Sequence, residues 1–193
     1  MTVINGLVEI GYPGRFLRGF QQHYQVTGTI AVVNDTDPAI TDLIQTGYPR
    51  PSNLFAKLDY NAPSLASLVT SSAMVITCYI GLHHFPHEAL TNFLTEINRI
   101  LQAGGCFILV DHDINSEATM SMAHMAHTLF NAVNGETIEN EMSEIRNFKP
   151  MSFWTQQIKQ NGLILHSNDD NSPKIRENDP SRNRMMCFQK PNL

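Results

Sequence analysis

The sequence predicts an α/β fold in which helices cover a mostly parallel β-sheet. Short apolar runs alternate with segments of helical spacing along most of the chain, a pattern typical of parallel strands joined by helical crossovers. The run at residues 74–79 is almost free of polar residues, as expected for a strand that is buried on both faces. A length of 193 residues fits one domain with a single hydrophobic core.

The first part of the chain contains five predicted strands and three predicted helices. The strands cover residues 7–10, 29–33, 54–58, 74–79 and 107–110. The helices cover residues 16–24, 38–46 and 87–101. The last helix has its apolar residues on one face, and we expect it to stop at Gly104-Gly105.

The remaining predicted elements are two helices and a final pair of strands. They cover residues 115–133, 151–161, 163–166 and 184–188. The first of these helices is rich in methionine, alanine and histidine, and a polar, acidic stretch at 134–147 follows it. Gly162 is a natural stop for the second helix. The final strands therefore add an edge to the sheet after a helical region.

Charge and composition disfavour several classes of protein. Thirteen basic residues against eighteen acidic ones give a net charge of -5, so neither nucleic acid nor a membrane is expected as a partner. Three scattered cysteines suit free thiols in a reducing compartment better than a disulfide framework or a zinc ribbon. No apolar run reaches the roughly 20 residues of a membrane span, and no signal-peptide pattern is present. We therefore expect a cytoplasmic protein.

Residues at the ends of the first two strands indicate a binding site. The first strand ends in Glu9-Ile-Gly-Tyr-Pro-Gly14, and a glycine turn of this kind lets a ligand approach the backbone closely. The second strand runs into Asp35 and Asp37, where an acidic side chain can hold a ribose diol. The other interpretation is that Gly11 and Gly14 only form a tight turn, while the two aspartates cap the next helix.

Four later segments complete a recognisable series. They are Leu58-Asp-Tyr60, the strand exit Tyr79-Ile-Gly-Leu-His-His-Phe85, the helix ending in Gly104-Gly105, and Phe107-Ile-Leu-Val-Asp-His-Asp113. In this order and spacing the chain resembles the class I S-adenosylmethionine-dependent methyltransferases, of the small-molecule type with a Leu-His-His signature. The resemblance is close over residues 7–113 and loose after residue 151.

This resemblance implies a fold, a reaction and a cofactor. The fold would be Rossmann-like and doubly wound, with a mostly parallel seven-stranded sheet and an antiparallel C-terminal hairpin edge. The reaction would be methyl transfer from S-adenosyl-L-methionine to a small-molecule acceptor. The single domain would comprise a cofactor-binding core (7–113), a helical lid or acceptor region (114–150), and a C-terminal helix and strand pair (151–193).

The resemblance also assigns the cofactor-binding residues. The residues assigned in this way are Glu9, Gly11, Tyr12, Gly14, Asp35, Thr36, Asp59, Tyr60, Tyr79 and Ile80. The two glycines would approach the methionine part of the cofactor, and Asp35 would accept hydrogen bonds from both ribose hydroxyls. Asp59 and Tyr60 would contact the adenine, while Tyr79 and Ile80 would lie beside the sulfonium.

The chain departs from the family pattern in two places. The glycine turn is one residue shorter than the usual GxGxG loop, and its Pro13 offers no backbone N–H. Few residues precede the first strand, where relatives carry helices that cover the site. Either the chain is a fragment, or the lid comes from residues 115–147 or from another subunit of a homo-oligomer.

These departures keep two other functions open. A catalytically silent domain of this fold could act in protein interaction. A nicotinamide-dependent dehydrogenase fits less well, because the GxGxxG fingerprint is absent.

Histidines are concentrated in one part of the sequence. Six of the eight lie between residues 83 and 127, namely His83, His84, His87, His112, His124 and His127. Because His84 and His112 follow the fourth and fifth strands, we predict them as catalytic bases for an acceptor proton. Metal binding with Asp111 or Asp113 and simple packing are the other interpretations, and we assign no metal site from the sequence.

Overall fold

The centre of the molecule is a mixed β-sheet with helices on both faces. The computed structural model describes residues 1–11, 14, 16–47, 52–79, 81–166, 174–175 and 179–192. The strands in these ranges are β1 (Val3–Ile10), β2 (Gln25–Asn34), β3 (Leu54–Lys57), β4 (Ala73–Tyr79), β5 (Leu101–His112), β6 (Ile164–Leu165), β7 (Lys174–Ile175) and β8 (Asn183–Gln189). Their order is β3-β2-β1-β4-β5-β8-β6, and β7 pairs with β8.

Strand directions confirm the predicted class of fold. Strands β1 to β5 pair in parallel, whereas β8 runs antiparallel to β5 and to β6. The antiparallel C-terminal edge is therefore present as predicted. The two-residue strand β7 adds to the seven strands of the main order.

Six α-helices and one 3-10 turn connect the described strands. The helices are α1 (Leu17–His23), α2 (Ile40–Thr46), α3 (His87–Ile100), α4 (Glu117–Asn134), α5 (Ile138–Ser143) and α6 (Met151–Gln160), and the 3-10 turn is Leu82–His84. Helix α5 lies within the stretch that the sequence shows only as polar and acidic. Within the described ranges, no helix combines the length and the apolar character needed to cross a lipid bilayer.

The predicted stop at Gly104-Gly105 is wrong. Helix α3 ends at Ile100, and its last two carbonyls, of Arg99 and Ile100, accept hydrogen bonds from the backbone N–H groups of Ser71 and Ser72. Both glycines lie inside β5, where their backbone exchanges hydrogen bonds with Lys190. A Cβ on Gly105 would lie 3.1 Å from the carbonyl oxygen of Met74, so the close strand contact requires glycine there.

Apolar side chains form a core on each face of the sheet. On one face, α3 and α6 bury residues such as Phe93 and Trp154 against inward-facing side chains of β1, β2, β4 and β5. On the other face, Leu17 of α1 packs against Leu7 and Val32. This double covering buries both faces of β1, β2 and β4 toward their carboxyl ends and explains the apolar runs there, whereas β5 and β8 alternate between buried and partly exposed residues.

Candidate active site

The glycine turn lies where three strands end. The N–H of Gly11 donates to the carbonyl of Val33 at 3.0 Å, and a Cβ on Gly11 would lie 3.3 Å from the carbonyl oxygen of Tyr79. Gly11 and Gly14 have φ angles of +87° and +84°, a backbone region that favours glycine. The turn therefore brings backbone atoms of β1, β2 and β4 together at the carboxyl edge of the sheet.

Glu9 holds this turn from inside the protein. Its side chain is fully buried, and Oε2 accepts a hydrogen bond from the N–H of Phe16 at 3.0 Å. The carboxylate thus joins the end of β1 to the residue that precedes α1. The predicted cofactor residues Tyr12 and Ile80 lie outside the described part of the chain.

The acidic residues after β2 do not cap the next helix. Helix α2 begins after Ala39, whose N–H donates to Asp42, and Asp37 pairs with Lys57 at 2.7 Å. Asp35 is exposed at the strand end, and the pKa of its carboxyl is raised by partial desolvation and by two acidic side chains of the helical region. Its carboxylate can therefore meet a ligand at the sheet edge.

The side chains around Asp35 and after β3 form a second wall. The hydroxyl of Thr36 accepts a hydrogen bond from the side-chain amide of Asn34 at 2.7 Å. The carboxylate of the exposed Asp59 accepts one from the N–H of Asn61 at 2.8 Å. The half-buried Tyr60 ring lies 5.4 Å from the ring of His84, and burial raises the pKa of its hydroxyl above the usual range.

Tyr79 ends β4 beside the glycine turn. Its ring centroid lies 4.3 Å from that of Phe16, and burial raises the pKa of its hydroxyl to about 12. Strand register places Ile10 next to Val33 and Cys78, so the residues that follow them share one edge. The described cofactor-binding residues of the sequence prediction therefore lie along the carboxyl ends of four adjacent strands.

A buried aspartate organises the exits of β4 and β5. The Oδ1 atom of Asp111 accepts hydrogen bonds from Nδ1 of His83 at 2.7 Å and from the N–H of His112 at 2.8 Å. Its Oδ2 atom accepts one from the N–H of Leu82 at 3.0 Å. Asp111 and His83 are both fully buried. The Leu-His-His turn is thus folded around this carboxylate.

The two histidines predicted as bases lie side by side with these groups. Nδ1 of His84 faces the carbonyl of Ile145 at 3.0 Å, and Nδ1 of His112 faces the carbonyl of Ser181 at 2.7 Å. Burial lowers the pKa of both rings, that of His84 to about 3. Both imidazoles are therefore neutral near pH 7, and each has Nε2 left as an acceptor.

Helix α4 adds His127, which the sequence analysis placed in the histidine cluster but did not assign as a base. His127 is buried, and its Nε2 atom lies 3.2 Å from Nε2 of His112. Its ring centroid is 4.8 Å from that of His83 and 5.5 Å from that of His84. His124, one turn earlier, is exposed. The clustering of histidines was visible in the sequence, but which of them face inward was not.

The segment that carries α4 and α5 lies against these strand exits. The N–H of Asn147 donates to the carbonyl of His83 at 2.8 Å, and its side-chain amide donates to that of Phe85 at 2.9 Å. The ring of Phe148 contacts His83, His112 and His127. Residues 115–147 are thus joined by hydrogen bonds and ring contacts to the Leu-His-His turn.

Solved structures with similar folds include several methyltransferases. A methyltransferase from Methanosarcina mazei, described as S-adenosylmethionine-dependent, is 15% identical with a TM-score of 0.68, and the match covers 100% of this chain and 95% of that one. A chain in the complex of the Haloferax volcanii Trm112 activator with a methyltransferase is 14% identical, with a TM-score of 0.65 and coverage of 100% and 85%.

A third similar structure contains ligands. The 1,6-didemethyltoxoflavin-N1-methyltransferase of Burkholderia thailandensis, with bound 1,6-didemethyltoxoflavin and S-adenosylhomocysteine, is 10% identical. Its TM-score is 0.62, and the match covers 99% of this chain and 72% of that one. Comparisons with models of protein families and with curated proteins found no match. Taken with the strand order, these likenesses show that the chain has the fold of the class I S-adenosylmethionine-dependent methyltransferases.

Proposed function

We propose that this protein transfers a methyl group from S-adenosylmethionine to a small-molecule acceptor. The observation that carries the proposal is the arrangement at the sheet edge. Gly11 meets the backbone of Val33 and Tyr79 there, and Asp35 follows the neighbouring strand. Such an edge, where the ends of parallel strands meet, is where open α/β folds bind nucleotide-like ligands.

The residues at this edge fit the chemical parts of the cofactor. The exposed Asp35 carboxylate is a suitable acceptor for a ribose diol, since it does not serve as a helix cap. The half-buried Tyr60 presents an aromatic face, and Asp59 an exposed carboxylate, on the side expected for adenine. A Cβ on Gly11 would lie 3.3 Å from the carbonyl oxygen of Tyr79, so glycine keeps the turn close to β4, beside the place proposed for the methionine part.

The proposed reaction needs no covalent bond between the protein and its substrates. S-adenosylmethionine supplies a methyl group on a cationic sulfur, which is already activated for transfer. The protein has to align the acceptor with that methyl group and exclude water. Two residues are assigned to positioning: Tyr79, with its half-buried ring at the end of β4, and Glu9, which holds the glycine turn.

The acceptor would enter between the strand exits and the helical segment. Residues 115–147 would supply the cover, and two acidic residues of this segment, Glu136 and Glu144, add to the effect of burial in raising the pKa of Asp35. We retain His84 and His112 as proposed bases. His84 is the better placed, because its side chain is 16% exposed, whereas both ring nitrogens of His112 have neighbours within hydrogen-bonding distance.

A role in protein interaction is the second candidate function. Several apolar side chains of the helical segment are exposed, including Phe130 at 56% and Val133 at 87%. An exposed apolar patch of this kind is typical of an interaction surface. The structure from Haloferax volcanii contains an activator protein together with a methyltransferase, and one of its chains has a fold similar to this one.

Calorimetry with S-adenosylhomocysteine separates these candidates. We expect saturable binding of one molecule per chain, and no binding of NAD⁺ at the same concentration. Added S-adenosylmethionine should also raise the melting temperature, because a ligand that binds only the folded state stabilises it. A folded protein that binds neither sulfur compound would refute the enzymatic proposal and favour the interaction domain.

A further inference from the structure

Three of the four inward-facing histidines share one hydrogen-bonding pattern, and the fourth has a carboxylate near the same ring nitrogen. In each ring Nδ1 is directed at an oxygen atom: of Asp111 for His83, of Ile145 for His84, of Ser181 for His112 and of Glu144 for His127. The first three distances are 2.7, 3.0 and 2.7 Å, and the fourth is 3.6 Å. Histidines that bind metal ions almost always donate the second ring N–H to a carboxylate or a carbonyl in this way.

Nitrogen atoms of three of these rings lie close together. Nε2 of His83 is buried and has no hydrogen-bond partner among the described residues. One ring nitrogen from each of His83, His84 and His127 can be chosen so that all three lie within 4.8 Å of one another. Nitrogen atoms around a tetrahedral zinc ion are separated by about 3.3 Å, given bonds of about 2.0 Å. Small rotations of the three side chains would bring these nitrogen atoms from separations of up to 4.8 Å to the spacing of a zinc site.

The pair formed by His112 and His127 supports the same interpretation. Their Nε2 atoms are 3.2 Å apart. The Ser181 carbonyl can only accept, so Nδ1 of His112 carries the proton and the lone pair of the neutral ring is on Nε2. If His127 likewise donates Nδ1–H to Glu144, two lone pairs face each other, and a cation between them removes their repulsion.

We propose that His83, His84 and His127 bind a divalent transition-metal ion, with His112 as a fourth imidazole beside the site. Imidazole nitrogens suit Zn²⁺, Co²⁺ or Ni²⁺, whereas Mg²⁺ and Ca²⁺ prefer oxygen ligands. Three histidine ligands with an open fourth position form a known type of catalytic zinc site. The buried carboxylate of Asp111 lies behind the His83 ring, and the Glu144 carboxylate, which also pairs with Arg146, lies near Nδ1 of His127. Metal binding does not depend on the proposed methyl transfer.

The competing arrangement is a hydrogen-bonded packing cluster. In it, Nε2–H of His127 would donate to His112, and the Phe148 ring would fill the space between the histidines. This arrangement gives no saturable metal binding, so the two can be separated by metal titration. At His84 a bound metal and the role of catalytic base exclude each other, because each needs the free ring nitrogen.

The test uses untagged full-length protein, stripped of metal with a chelator and titrated with Zn²⁺ by calorimetry. We expect one equivalent to bind with a dissociation constant of about 1 μM or tighter, and no heat from Mg²⁺. Co²⁺ should give the visible absorption bands of a low-symmetry nitrogen site. His127→Gln and His84→Gln should each weaken Zn²⁺ binding at least about a hundredfold, more than the loss of an outer-shell group would.

The matched control is His124→Gln, which changes an exposed histidine one turn away on the same helix. It should bind Zn²⁺ as the unchanged protein does. Circular dichroism verifies that each variant is folded, and we avoid replacing the fully buried His83 for that reason. Wild-type protein without saturable binding, or equal losses in the His124 and His127 variants, would overturn the proposal. Binding of S-adenosylhomocysteine is measured separately, so failure of one proposal leaves the other intact.

Discussion

Asp111 shows how a single side chain orders the exits of β4 and β5. A carboxylate without water around it needs hydrogen-bond donors, and Asp111 finds them in Leu82, His83 and His112. These donors come from the turn after β4 and from the end of β5. The carboxylate therefore joins two strand exits that are far apart in the sequence and fixes the direction of the His83 ring.

Replacing Asp35 tests the predicted ribose contact. Asp35→Ala removes hydrogen bonds to a neutral diol, each worth up to about 1.5 kcal/mol, so the affinity for S-adenosylhomocysteine should fall roughly ten- to a hundredfold. Calorimetry measures the change. Asp37→Ala is the matched control, because Asp37 is exposed and pairs with Lys57, and its affinity should stay within about twofold of wild type. Equal affinity in both variants would contradict the assignment of Asp35.

Replacing the two proposed bases tests the mechanism. If either group takes the acceptor proton, His84→Asn or His112→Asn should lower turnover by about 10² to 10⁴ with little change in melting temperature. Each variant is measured with and without added Zn²⁺, which separates a lost base from a lost metal ligand. His124→Asn should retain wild-type turnover. Full turnover in both folded variants would show that alignment of the acceptor is sufficient.

At the scale of elements, the joint between α3 and β5 lies at the amino edge of the sheet, opposite the candidate site. The helix passes into the strand without a loop, because Leu101 already has extended backbone angles and pairs with Ala73. Arg99, at the end of α3, donates to the carbonyls of Leu65 and Leu68 and anchors the segment between β3 and β4. These contacts hold the strands rigidly, whereas α4 and α5 expose much of their surface.

The helical segment should respond to the cofactor. Residues 115–147 contact the strand exits through few buried side chains, so their amides should exchange quickly in the free protein. On binding S-adenosylhomocysteine we expect exchange in this segment to slow at least about threefold, because a closed lid opens less often. Hydrogen exchange with mass spectrometry measures this. Helix α6 is the internal control, and an equal change there would mean global stabilisation instead of closure.

At the scale of the whole molecule, the C-terminal elements belong to the same core as the first strands. Trp154 and Ile158 of α6 are buried with Phe93 of α3, and Phe188 of β8 packs in the same cluster. The antiparallel edge is therefore continuous with the parallel sheet in packing as well as in hydrogen bonding. We expect the chain to unfold as one cooperative unit.

Replacing Trp154 tests this expectation. Trp154→Ala leaves a large cavity in the shared core and should lower the free energy of unfolding by about 3–5 kcal/mol. Urea unfolding followed by circular dichroism should still show a single transition. Val133→Ala, at a side chain that is 87% exposed, should change stability by less than about 0.5 kcal/mol. Two separate transitions in the wild-type protein would contradict the single-domain prediction.

The sequence by itself determined the class of fold and placed the predicted cofactor-binding residues at the carboxyl edge of the sheet. Strands that are buried on both faces need continuous apolar runs, and such runs are visible in the sequence. These apolar runs predicted the five parallel strands and the C-terminal pair. The position of Asp35 and of the glycine turn at strand ends follows from the same reading. The local sequence pattern gave a wrong prediction at Gly104-Gly105. Glycine can mark the end of a helix, but here Gly105 allows a close contact between strands, since a Cβ on it would lie 3.1 Å from the carbonyl oxygen of Met74.

Only the tertiary structure decided which polar side chains meet. His83, His84, His112 and His127 come from two strand exits and a helix, and no local pattern records how these elements face one another. His124 and His127 have the same residue type and neighbouring positions, yet one is exposed and the other buried. Their different surroundings arise from the packing of α4 against the sheet edge, which depends on the whole core and not on the sequence of the helix alone.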